Sequence, residues 1–76
     1  MVEWHGRIVR DSAVMLGKPA ITGTRLTVEL LLDLLASGET VEGLVEQYPQ
    51  LTRDDVLAAL AYASEALKTD EAIVIA

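Results

Sequence analysis

The stretch Gly17-Lys18-Pro19-Ala20-Ile21-Thr22-Gly23-Thr24-Arg25-Leu26 decides how this chain folds. It lies between an apolar N-terminal patch and three segments of helical periodicity. Gly17 and Gly23 can take positive φ without the Cβ clash that other residues suffer. Pro19 fixes its own φ and drives Lys18 towards an extended conformation. The stretch reads as a tightly shaped loop that carries Lys18 and Arg25 in defined directions.

Downstream, Thr27 caps a first helix over Val28–Ser37. Val28, Leu31, Leu32 and Leu35 share one face at i, i+3, i+4, i+7 spacing, and Leu30 and Leu34 widen it. Only Glu29 and Asp33 mark a wet stripe, so this helix is central or lies at an interface. Gly38 ends it. Thr40 caps a second helix over Val41–Tyr48, with Val41, Leu44, Val45 and Tyr48 inward. Gly43 within it predicts close approach of another helix. Pro49 ends that helix. Thr52 caps a third over Arg53–Lys68, with Asp55 placed as in a capping box. Its periodicity predicts one stripe of Val56, Leu60, Ala63 and Leu67 and a second of Leu57, Ala61 and Ser64.

Upstream, Arg7–Arg10 reads as a short strand. Asp11-Ser12 reads as a turn or the start of a helical turn through Met15. Arg25-Leu26-Thr27 is placed as a second short strand returning against the first. Trp4 is a packing anchor, and His5 a surface side chain with no nucleophile beside it. At the other end, the β-branched run Ile73-Val74-Ile75 favours a strand. It either folds back on the N-terminal arm or adds to a partner's sheet, with Asp70 and Glu71 at the rim. The expected fold is a single domain over residues 1–76, mostly α. A three-helix, homeodomain-like helix-turn-helix bundle (28–68) follows an N-terminal β arm and loop (1–27) and precedes the tail (69–76).

Composition bounds the function. A chain of 76 residues that is 51% hydrophobic has too little interior to hide its apolar surface. A homo-oligomer or another protein partner is expected to cover the excess. There is no cysteine and one histidine, so no cofactor or metal site is expected. The longest uncharged leucine run is far too short to span a bilayer, and no signal-peptide pattern precedes it, so a cytoplasmic, non-membrane protein is expected. Charge is uneven. Residues 1–25 hold Arg7, Arg10, Lys18 and Arg25 against Glu3 and Asp11, a net of +2. Residues 26–76 hold Arg53 and Lys68 against ten acids, a net of −8. Nucleic-acid binding, where it occurs, is therefore assigned to Arg7, Arg10, Lys18 and Arg25, with Arg53 secondary.

The combination of GKPAITGTR, a leucine-rich helix, LLASGE and YPQLTRDDVLAALAYA resembles the domain of unknown function 433 family over Ile8 to Ala63. The resemblance implies a small prokaryotic helix-turn-helix protein, of a kind often proposed as VapB-like antitoxins that partner a PIN-like ribonuclease toxin. The third helix would then be the recognition helix, yet its N-terminal end offers Arg53 followed by Asp54 and Asp55. Two carboxylates beside phosphates are repulsive, so DNA binding by a single chain is expected to be weak.

No catalytic residues are assigned. The acids follow solvent-face spacing, Gly17-Lys18-Pro19 lacks the spacing of a phosphate-binding loop, and no serine has a histidine relay. Three readings remain: an antitoxin-like dimer, a stand-alone DNA-binding regulator, and a plain oligomerisation module. In the first, Ile73, Val74 and Ile75 bind the partner, while Arg25 or another arm residue blocks an acidic active site.

Overall fold

Threonine begins each helix. Thr27 Oγ1 accepts from the Leu30 N–H at 3.0 Å, and Thr40 Oγ1 from the Gly43 N–H at 2.9 Å. Thr52 Oγ1 accepts from the Asp55 N–H at 3.2 Å. Each cap satisfies an N–H that the helix itself cannot, worth about 1 kcal/mol. The computed structural model describes residues 2–69. Within them α1 spans Val28–Ala36, α2 Val41–Gln47 and α3 Arg53–Thr69. After α1, Gly38 takes φ 107°. The Glu39 N–H reaches the Leu34 carbonyl and the Gly38 N–H the Leu35 carbonyl, both at 3.1 Å. This paired closure is a Schellman motif, which needs the left-handed residue that glycine supplies.

The N-terminal third is a three-stranded antiparallel sheet in the order β1 (Val2–Trp4), β2 (Ile8–Arg10), β3 (Ala20–Ile21). The three helices and the N-terminal β element are present as expected, and the three-stranded sheet makes the fold mixed α/β. β1 was not legible in the sequence. It pairs Trp4 with Ile8 across a three-residue loop, His5-Gly6-Arg7, in which the Arg7 N–H closes on the Trp4 carbonyl at 3.2 Å and His5 and Gly6 both have positive φ. That is the mirror-image turn whose twist suits a hairpin. The returning strand also differs from expectation. Ala20–Ile21 pairs with β2, whereas Leu26 and Thr27 lie against β3 through the Ile21 N–H to Leu26 carbonyl bond and an Ala20–Thr27 bridge. The turn at Gly23 closes too soon for residues 25–27 to reach β2. The C-terminal strand expected at Ile73-Val74-Ile75 lies outside the described residues.

One core joins the two parts. Ile8 and Ile21 of the sheet pack with Val28 and Leu31 of α1, Leu44 of α2, Leu51, and Val56 and Ala59 of α3. Trp4 packs against this cluster, its ring edge-on to Tyr62 with centroids 5.6 Å apart, so it is the anchor expected. On α3 the inward face differs from the leucine stripes read in the sequence. Val56 and Ala59 are enclosed, whereas Leu57, Leu60 and Leu67 are 41%, 39% and 68% exposed. Alanine at the contact lets α1 and α3 approach closely, and the leucines are left outside. Gly43 is not a helix crossing either: a Cβ there would meet Thr40 Oγ1 at 3.1 Å, so its small size serves the cap of α2.

The loop from Asp11 to Lys18 holds the least ordinary backbone. Asp11 Oδ1 accepts from the Ala13 N–H at 2.9 Å, forming the turn expected there. Then Met15 (φ 50°), Leu16 (φ 58°) and Gly17 (φ 80°) are left-handed in succession. This replaces the helical turn expected through Met15. For residues with a Cβ such backbone costs about 1 kcal/mol or more each.

Candidate functional site

Five cations carry the nucleic-acid expectation, and they meet different fates. Arg7 opens onto the N-terminus of α3, where Nη1 lies 2.9 Å from Asp55 Oδ1 and Nη2 lies 3.7 Å from Asp54. Asp55 Oδ2 accepts from the Thr52 N–H at 3.0 Å, completing the capping box. Arg7 is therefore tied to the cap of α3. Arg10 donates Nε–H to the Gly17 carbonyl at 3.3 Å. Lys18 pairs with Glu29 of α1 at 3.1 Å, and Arg53 with Glu42 of α2 at 3.6 Å. These last two pairs join exposed side chains and contribute little stability, but each cation has a carboxylate at hand.

Arg25 has none. The chain's six lysines and arginines all lie among the described residues, and the sixth, Lys68, pairs with Glu65 at 3.7 Å. Arg25 alone makes no side-chain hydrogen bond or ion pair there. The turn that carries it is rigid. The Ile21 N–H binds the Leu26 carbonyl at 2.9 Å, and the Thr22 N–H the Arg7 carbonyl at 2.9 Å. Thr24 braces the inside: its hydroxyl donates to the Ile21 carbonyl at 2.8 Å and accepts from the Leu26 N–H at 3.0 Å. Gly23 takes φ 79° at the bend. Arg25 is exposed and borders a depression of about 670 Å³ shared with Glu3, Val9, Asp11, Thr24 and Gln50. The spacing of Gly23 and Arg25 was readable; the brace by Thr24 was not.

A second feature went unread in the sequence. An apolar groove of about 510 Å³ runs between α1 and α3, with Lys18 and Pro19 forming one end. Nothing in local periodicity signals it, because its walls come from three separated segments. Among the described residues no three of His, Cys, Asp and Glu gather as a metal site, and no helix is long and apolar enough to cross a membrane.

These features define a small mixed α/β domain in which, among the described residues, Arg25 is the one cation without a side-chain partner. A family model described as Protein of unknown function (DUF433) matches residues 8–63, and the chain belongs to that family. No curated protein and no solved structure gives a match.

Proposed function

We propose that the protein is an antitoxin-like module of the cytoplasm that dimerises and binds a partner toxin, a PIN-like ribonuclease, without enzymatic activity of its own. The observation that carries this reading is Arg25. A guanidinium with no hydrogen-bond or ion-pair partner among the described residues, carried on a turn closed by backbone hydrogen bonds, is available to an external carboxylate. The acidic active site of a PIN-like nuclease has the matching chemistry. The exposed leucines 30, 57, 60 and 67 support a protein partner as well. In this reading α2, the turn through Pro49 and α3 form the helix-turn-helix pair. Operator binding is then a lesser role of the dimer, because Arg7 and Arg53 at the start of α3 already face Asp55 and Glu42.

Co-expression of the full chain with its adjacent gene, purified through a tag on one component, tests the reading. Copurification with an inhibited nuclease is the expected result, and failure to copurify sinks it. Arg25→Glu should change stability by no more than about 0.5 kcal/mol, since no hydrogen bond or ion pair among the described residues is lost. It should raise residual nuclease activity in the complex by about 30-fold, the loss typical of a central charged contact. Unchanged inhibition would remove Arg25 from the site.

A further inference from the structure

Leu16 is 92% exposed, the most exposed large hydrophobic side chain among the described residues. It is also held in left-handed backbone, between Met15 and Gly17 in the same conformation. The loop is bound from several sides. The Gly17 N–H is shared between the Asp11 and Val14 carbonyls at 3.1 Å each, the Lys18 N–H binds the Met15 carbonyl at 3.1 Å, and Arg10 holds the Gly17 carbonyl. A strained segment persists where its surroundings over-determine it, and here the strain displays a leucine to water.

A receptor for that side chain lies beside it. Lys18 and Pro19, two and three residues further on, line the groove whose apolar walls include Val28, Leu32, Tyr62, Ala63 and Leu67. Leu16 does not fill this groove in its own chain, as its exposure shows. A knob and a hole side by side on one surface are self-complementary about a two-fold axis. Charge agrees with this pairing. Asp33 lines the groove and makes no side-chain hydrogen bond or ion pair among the described residues. Arg10, at the end of β2, holds the Leu16 loop through its Nε–H to the Gly17 carbonyl, and its terminal nitrogens have no acceptor among the described residues.

We propose that Leu16 of one copy seats in the α1–α3 groove of a second copy, and the reverse, with Arg10 facing Asp33 across the contact. This rests on the dimeric part of the reading above and assigns its interface.

Sedimentation of the full chain at tens of micromolar, with no partner present, tests the assignment. Leu16→Asp and Leu67→Glu should each weaken the dimer by about 30-fold. An equimolar mixture of the two variants should regain part of the association, because one intact knob then meets one intact groove. Leu16→Gly should weaken the dimer as well. Diluted until the wild type has dissociated, it should melt about 3 °C higher than wild type, because glycine relieves the left-handed strain. That opposite pair of signs separates display of Leu16 from support of the fold. A monomeric wild type, or a Leu16→Asp variant that stays dimeric, overturns the proposal. So does a mixture that regains nothing. A Leu16→Asp variant that dimerises normally but no longer copurifies with a nuclease assigns Leu16 to the toxin, overturning this interface while leaving the antitoxin reading intact.

Discussion

Leu31→Ala should remove roughly a quarter to three-quarters of the protein's stability at room temperature. Leu31 is 0% exposed and sits where α1 meets the rest of the core. Truncating an enclosed leucine removes its transfer energy and leaves a cavity, at about 3 kcal/mol. A chain of 76 residues has a total stability of only about 4–11 kcal/mol. The melting temperature should therefore fall by about 15 °C. Leu57→Ala is the matched control. It removes the same atoms from the 41% exposed outer face of α3 and should cost less than about 1 kcal/mol. Thermal denaturation followed by circular dichroism gives both numbers. Equal losses would mean that α1 is not the centre of the core.

Asp55→Ala should cost about 2 kcal/mol, the largest loss from any charged residue. Its carboxylate caps α3 through the Thr52 N–H and receives Arg7 from the β1–β2 turn, and the side chain is 11% exposed. Losing the cap accounts for about 1 kcal/mol. Arg7 is 43% exposed, so solvent screening limits its share to about 1 kcal/mol. Asp55→Asn, which can still accept from Thr52, should fall between wild type and alanine. A double-mutant cycle with Arg7→Met isolates the pair. A coupling indistinguishable from zero would free Arg7 from the fold and return it to the cations available to a ligand.

The helices were legible because their signals are local. Thr27, Thr40 and Thr52 each announce a start, and Gly38 a stop, within four residues of the groups they satisfy. The sheet was half hidden for the same reason. His5-Gly6 lacks the asparagine or aspartate that usually marks such a turn, and Ala20-Ile21 is too short to read as a strand. On α3, hydropathy favours leucine for the interior, whereas close packing against α1 selected Ala59 and left Leu60 outside. The cations could be named from sequence, but their fates could not. Arg7 meets Asp55 across 48 positions, and only the folded chain brings them together. Arg25 stands apart because every other cation found an acceptor, a contrast that no single stretch contains. Leu16 in left-handed backbone runs against propensity, so sequence reasoning passes over it.

Each connection between elements is closed by a backbone hydrogen bond: Arg7 N–H to Trp4, Gly17 to Asp11, Ile21 to Leu26, Glu39 to Leu34, Leu51 to Tyr48. These bonds tie every connection between residues 2 and 69. A protease needs an extended stretch of several residues, and none is on offer without breaking one of these closures. Digestion between those limits should track opening of the whole domain rather than of any one loop. In limited proteolysis, internal cleavage should slow in step with each gain in melting temperature. A nick at one fixed internal bond, insensitive to stability, would locate slack that the hydrogen bonding denies.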